Sequence, residues 1–173
     1  MKILLKRKTI VKILLCVVWL GVIFYNGTRP GETSQRTSRG LIEFAGGVMN
    51  ISPATIEKVG VKFNDVNYYV RKNAHFFQYF VFSILLCSIV RQSKLQRSNK
   101  IWMLLFLLLL FPVIDEFIQK YIPSRTSNVL DIVIDFSGGV LGMIITGVRG
   151  HLIHLKKGKR TIGATHMASG IHK

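Results

Sequence analysis

Acidic residues and cysteines are scarce in this sequence. Its 173 residues include 24 Lys and Arg but only 8 Asp and Glu, so the formal net charge is +16. Such a basic excess is typical of a nucleic-acid-binding domain or of a membrane protein whose positive charge lies outside the bilayer. The two cysteines, Cys16 and Cys87, lie in apolar runs, so we expect small buried residues rather than a disulfide.

Long uncharged runs decide between these two classes. The chain is 49% hydrophobic and its mean hydropathy is +0.36. A chain this apolar is not disordered, because it can bury enough surface to fold. A nucleic-acid-binding domain would account for the charge but not for the long uncharged runs. We therefore interpret the sequence as a one-domain membrane protein with no nucleic-acid partner.

Four segments are apolar enough to span a bilayer, which requires about 20 helical residues. We predict an all-α membrane protein, a four-transmembrane-helix bundle with spans at about 9–26, 74–90, 101–118 and 129–148. These spans form one membrane domain, 1–148, followed by a basic tail, 149–173. The first span resembles a signal peptide, but no small-residue cleavage site follows it, so we expect an uncleaved helix.

The distribution of positive charge predicts the orientation. Fifteen of the 24 basic residues lie before the first span or in its first turn, between the second and third spans, or in the tail, and these segments contain no acid. Cytoplasmic segments of membrane proteins carry an excess of Lys and Arg. Both termini are therefore predicted to be cytoplasmic, and the tail is predicted to be a cytoplasmic tail.

The outer connection at 26–73 is too long to be a simple turn. Within 33–46 and just beyond, Leu41, Ala45 and Val48 follow helical spacing. Ser52 followed by Pro53 is typical of a helix start. We predict that this loop contains short interfacial helices on the outer membrane surface.

The spans contain ionisable residues, each of which costs about 2.5–3.5 kcal/mol at the bilayer centre. The predicted topology places these residues at the outer ends of the second, third and fourth spans, within one layer. This candidate outer-leaflet polar pocket consists of Arg71, His75, Tyr79, Asp115, Glu116, Gln119, Arg125, Asp131 and Asp135. Arg125 follows the third span closely enough to reach back to a carboxylate.

Two spans carry these residues at helical spacing, on one face each. The stripe in the second span consists of Arg71, His75 and Tyr79. The stripe in the fourth span consists of Asp131, Asp135, Gly138 and Gly142. We expect the two glycines to let a neighbouring helix pack closely.

Three motifs contain most of these residues: YVRKNAHFFQY at 69–79, D-E-x-x-Q-x-x-x-P-x-R at 115–125, and D-x-x-x-D-x-x-G-x-x-x-G at 131–142. Together they resemble the VanZ-like family, over roughly residues 11–148. The resemblance implies a small multi-pass protein of the bacterial cell envelope, located in the cytoplasmic membrane. The family's founding member is associated with tolerance of the glycopeptide teicoplanin, so the resemblance also implies a role in antibiotic resistance.

The function that we favour from the sequence is binding of an anionic lipid headgroup, with a lipid-linked wall precursor as one candidate. Arg71 and Arg125 would contact phosphate, while Glu116, Asp131 and Asp135 would bind sugar, amine or metal. Membrane lipids are the expected partners, and an oligomer is left open. Ion pairs that only hold the bundle together are the structural alternative.

Two other functions stay open at this stage. One is an intramembrane lipid-phosphate hydrolase or transferase, although no pair of side chains in the sequence indicates a nucleophile and the catalytic residues are unknown. The other is a small proton- or ion-coupled transporter, for which four spans without repeat symmetry are a poor basis. His75 with the acids offers ligands for Mg²⁺, Mn²⁺ or Zn²⁺, but no tight ligand motif is present. We therefore predict neither a metal site nor a cofactor.

Overall fold

The computed structural model describes residues 7–48, 63–125 and 127–169, with side chains for 7–48, 65–125 and 127–150. This part of the chain contains helices and no strand, which confirms the all-α class. The helices are α1 (Arg7–Thr28), α2 (Gly31–Val48), α3 (Phe63–Val90), α4 (Arg97–Gln119) and α5 (Val129–Ser169).

Four segments of these helices are long and apolar enough to cross a membrane: Arg7–Thr28, Asp65–Val90, Arg97–Gln119 and Val129–Gly150. The predicted four-span bundle is thus confirmed. The shortest of them, at 22 residues, is about 33 Å long, slightly more than the roughly 30 Å of the hydrocarbon core.

Two helices extend well beyond the predicted spans. Helix α3 begins at Phe63, before the predicted span at 74–90, so Arg71 lies in the same helix as His75. Helix α5 continues through most of the predicted tail and ends at Ser169.

The two ends of the bundle differ in charge. We call the end where α1 and α4 finish and α3 and α5 begin the carboxylate end, and the opposite end the basic end.

Helix α2 coincides with the helical spacing seen at 33–46. Its first residue, Gly31, donates a 3.2 Å main-chain hydrogen bond to the carbonyl of Pro123. A Cβ at Gly31 would collide with the main-chain oxygen of Ser124, a residue in the left-handed region with φ 59°. The start of α2 is therefore held against the α4–α5 connection. The second helix start, predicted at Ser52, lies outside the described residues.

Helices α3 and α5 pack more extensively with each other than any other pair does. Gly138 lies against the main-chain carbonyl of Phe76, and a Cβ at Gly142 would be 2.7 Å from the oxygen of Phe80. The absence of side chains at these two positions lets the two backbones approach closely. This contact fixes the relative height of α3 and α5 just below their polar residues.

An apolar cluster supports the bundle centre. Its buried members are Cys16, Ile23, Tyr79, Phe82 and Leu108. The rings of Phe82 and Phe111 meet edge to face, with 5.3 Å between their centroids, a geometry that aromatic pairs prefer. Cys16 and Cys87 are both buried and free.

Candidate functional site

Three helices bring three ionisable side chains together at the carboxylate end. His75 from α3, Asp115 from α4 and Asp135 from α5 each present one ligand atom within 4.8 Å of the others. Asp115 is 1% exposed and Asp135 is 2% exposed. His75 Nδ1 lies 3.7 Å from Asp135 Oδ2, a distance too long for a good hydrogen bond. We call these three residues the central cluster.

Helices α1 and α3 enclose the central cluster around Asp115. A Cβ at Gly27 would collide with the carboxylate of Asp115, so only glycine allows α1 to pass here. The fully buried Tyr79 brings its hydroxyl near the same carboxylate without a well-formed hydrogen bond. Tyr79 was predicted for the site, whereas Gly27 was not, because a glycine near a helix C-terminus is ordinarily interpreted as a cap.

Glu116 is buried beside the central cluster but is bonded elsewhere. Its Oε1 accepts a 2.6 Å hydrogen bond from the main-chain N–H of Asn128. Asn128 in turn caps α5, since its Oδ1 accepts a 3.0 Å hydrogen bond from the N–H of Leu130. Glu116 therefore ties the end of α4 to the start of α5.

Asp131 pairs with a residue that the sequence analysis did not select. The ammonium of Lys72 forms an ion pair with Asp131 and lies 5.1 Å from the centroid of the Tyr68 ring. Helices α3 and α5 both begin at the carboxylate end and run parallel. One turn further along both helices, His75 faces Asp135 in the same way. Lys72 lies one helical turn before His75, and this spacing could have indicated from the sequence that Lys72 belongs to the site.

Arg125 is held by three acceptors. It donates hydrogen bonds to Gln119 Oε1 at 2.7 Å, to the carbonyl of Asn26 at 2.7 Å and to the carbonyl of Arg29 at 2.9 Å. Among the described contacts it reaches a carboxylate only indirectly, since Gln119 Nε2 donates to Asp115 Oδ2 at 3.1 Å. Although Arg125 follows α4 closely enough to reach a carboxylate, its described hydrogen bonds go to carbonyl and amide oxygens instead. Burial lowers the pKa of Arg125, and the positive charge of Arg71 lowers it further.

A cavity of about 180 Å³ lies beside the central cluster, between α3 and the corner formed by α1 and α2. We call it the arginine cavity. Its lining consists of Arg29, Arg71, Arg125, His75, Gln78, Asn26, Ser34, Thr37, Ser38, Leu41, Val70 and Ala74. Within the part of the chain that the structure describes, no carboxylate lines it. His75 belongs to both the arginine cavity and the central cluster.

The contribution of α2 to this cavity was missed by the sequence analysis. Ser34, Thr37 and Ser38 bring hydroxyl groups to the lining, and Arg29 donates a 3.3 Å hydrogen bond to Thr37 Oγ1. The sequence analysis predicted a helix here on the outer membrane surface, because local spacing predicts a helix but not what it packs against.

A larger cavity of about 730 Å³ lies at the basic end. Three of its lining residues are cationic, Arg91, Arg97 and Lys100, and apolar side chains such as Leu104 and Met143 line the rest. It contains none of the predicted site residues. Size alone therefore does not locate the candidate site, and the grouping of polar residues points to the arginine cavity.

Comparison with known families agrees with these motifs. The VanZ/LLP1 family profile matches residues 12–150, most of the chain. The chain belongs to the VanZ/LLP1 family. The match runs from α1 through α5 up to Gly150 and includes both the central cluster and the arginine cavity. No curated protein and no solved structure matches the chain.

Proposed function

We propose that the arginine cavity binds the phosphate of an anionic lipid headgroup, with a lipid-linked wall precursor as one candidate. The observation that supports this proposal is the cavity lining, which among the described residues has three guanidinium groups, three hydroxyl groups and no carboxylate. Guanidinium groups bind phosphate through paired, charge-assisted hydrogen bonds. The buried Nε of Arg71 has no hydrogen-bond partner among the described residues, and a phosphate oxygen would supply one.

The size of the cavity limits what it can hold. Its volume of about 180 Å³ is below the roughly 300–1,000 Å³ of pockets that enclose drug-sized molecules. A headgroup fits this volume, whereas an entire glycopeptide does not. A role in teicoplanin tolerance would therefore act through envelope lipids rather than by binding the antibiotic.

We propose a location in the bacterial cytoplasmic membrane, with both termini cytoplasmic and the carboxylate end facing outward. Support comes from the described acids, since Asp115, Glu116, Asp131 and Asp135 all lie at one end, and from the acid-free basic segments at the other. In this orientation α2 lies at the outer surface.

The orientation can be measured with a membrane-impermeant maleimide on intact cells. Ser127→Cys, in the exposed α4–α5 connection, is expected to react directly. Ser98→Cys, exposed at the start of α4, is expected to react only after permeabilisation. The reverse pattern would show that the basic end faces outward.

Headgroup binding can be tested by lipid co-purification. Arg71→Gln removes a cavity guanidinium, and we expect the purified variant to carry less phospholipid and less lipid-linked precursor per chain than the wild type. Arg71 is preferable to Arg125, because Arg125 also holds main-chain carbonyls. Arg36→Gln on the exposed face of α2 is the matched control. Equal lipid content in wild type and Arg71→Gln would contradict the proposal.

One contact favours lipid-phosphate hydrolysis as a second candidate function. His75 lines the arginine cavity and its Nδ1 lies 3.7 Å from Asp135 Oδ2, so a slightly closer approach would let this carboxylate orient the imidazole as a base. Hydrolysis predicts phosphate release from a lipid phosphate in vesicles, and loss of that release in a folded His75→Gln variant. An inactive wild type would exclude this candidate and leave headgroup binding intact.

A further inference from the structure

The central cluster has more negative than positive charge within reach. Asp115 and Asp135 are almost fully buried, and the neighbouring imidazole of His75 can neutralise only one of them. Two nearby cations have other partners, since Lys72 pairs with Asp131 and Arg125 binds carbonyl groups and an amide, while Arg71 lines the arginine cavity. Two buried carboxylates without compensation are costly, because burial penalises the charged form.

Several polar atoms in and beside the central cluster also lack a hydrogen-bond partner among the described residues. They are His75 Nδ1, Asp115 Oδ1, Asp135 Oδ1 and the neighbouring hydroxyl of Tyr79. The Tyr79 side chain is 0% exposed, so the surrounding solvent does not supply the missing bond. Buried polar atoms are ordinarily paired with protein, ion or water. Four such atoms in one place indicate a ligand.

We propose that His75, Asp115 and Asp135 bind a divalent transition-metal ion, of which Zn²⁺ fits best. A divalent ion balances two carboxylates when the imidazole is neutral. Tetrahedral Zn²⁺ with bonds of about 2.0–2.2 Å holds its ligand atoms about 3.3–3.6 Å apart. The separation between His75 Nδ1 and Asp135 Oδ2, 3.7 Å, is close to this value. An imidazole ligand favours Zn²⁺ over Mg²⁺ or Ca²⁺, which prefer all-oxygen sites.

Three protein ligands leave a position open on a tetrahedral ion, as in catalytic zinc sites. His75 is the ligand that also lines the arginine cavity, so a group bound in the cavity would lie beside the metal. This consequence rests on the proposed function, because it requires a phosphate in the cavity. Metal binding by the central cluster does not depend on the proposed function.

The test uses the full chain in detergent, stripped with a chelator and then titrated with Zn²⁺ alone. The tag must contain no histidine. The background variant replaces the four tail histidines, His151, His154, His166 and His172, with Gln, because they could bind zinc independently. We expect one Zn²⁺ per chain in this background. We expect Asp115→Asn, Asp135→Asn and His75→Gln each to weaken binding more than the roughly 10–100-fold that loss of an outer-shell partner costs.

Asp131→Asn is the matched control, since Asp131 lies one turn before Asp135 on α5 but pairs with Lys72. It is expected to retain the zinc. X-ray absorption of the zinc-loaded background provides a readout that does not depend on variants folding, and it should show one imidazole, carboxylate oxygens and no sulfur. No bound zinc, a sulfur-containing shell, or equal losses in Asp131→Asn and Asp135→Asn would overturn the proposal. Arg71→Gln should lose lipid yet keep zinc, which separates failure of this proposal from failure of headgroup binding.

Discussion

Arg125 Nη2 donates a 2.7 Å hydrogen bond to the main-chain carbonyl of Asn26, 99 residues earlier in the chain. The same guanidinium binds the carbonyl of Arg29, just beyond the end of α1. The last carbonyls of a helix have no partner within it, so an arginine from another segment can serve as the cap. The α4–α5 connection thereby fixes where α1 ends and α2 begins.

Arg125→Lys is expected to destabilise the fold, because a single ammonium group cannot reproduce the hydrogen bonds of a planar guanidinium to three acceptors. With hydrogen bonds to charged groups contributing about 1.5–3 kcal/mol each, the loss of unfolding free energy should be about 2–4 kcal/mol. Thermal unfolding in detergent measures it. Lys120→Ala in the same connection, at an exposed position, should change little. Equal melting temperatures for Arg125→Lys and the wild type would show that the cap is dispensable.

Gly27→Ala is expected to push α1 away from Asp115, because the added Cβ has no space. Overpacking of this kind typically costs about 1–3 kcal/mol. Gly21→Ala on the same helix is the control, since nothing lies within 4 Å of a Cβ there. Chemical or thermal unfolding of the two variants provides the comparison, and similar stabilities would argue against the close contact.

Gly138→Ala should separate α3 from α5 where the two backbones touch, at Phe76. We expect a stability loss of about 1–3 kcal/mol, together with weaker cross-linking between cysteines introduced on facing positions of the two helices. Gly147→Ala lies further along α5 with open space around its Cβ. That variant should melt like the wild type, and a shift as large as that of Gly138→Ala would count against a packing role.

Glu116 distinguishes a structural role from ion transport. Its Oε1 accepts the N–H of Asn128, and Gln can accept the same bond. Glu116→Gln should therefore change stability by less than about 1 kcal/mol, whereas Glu116→Ala should cost about 1–3 kcal/mol by leaving the N–H unsatisfied. Both values come from thermal unfolding. If the protein is a proton-coupled transporter, Glu116→Gln should instead abolish proton-coupled flux into vesicles. That result would favour transport over a purely structural role for Glu116.

Much of the fold could be predicted from local patterns. Hydropathy located the four spans, because each spanning helix must satisfy its own backbone in lipid. Helical spacing put Asp131 and Asp135 on one face, and the predicted topology placed them at the same depth as His75. The central cluster therefore assembles from residues chosen before any contact was known.

Which of these residues would bond to each other was not predictable in the same way. Arg125 was predicted to lie within reach of a carboxylate but binds the carbonyls of Asn26 and Arg29, since a flexible side chain after a turn has many acceptors within reach. Lys72 was not selected, because its partner, Asp131, lies on a helix that is distant in sequence. Helix spacing determines the face of a residue but not the rotation of that helix against its neighbours.

The sequence by itself determined that the chain is a four-span helical protein with few acids, half of them near the ends of the predicted spans. Those properties follow from composition and from the period of a helix, which are local. The tertiary structure alone decided that α2 lines a cavity to which the described residues bring no carboxylate, and that Asp115 is buried against Gly27. These relationships depend on how helices distant in sequence pack, and packing is set by all the contacts at once.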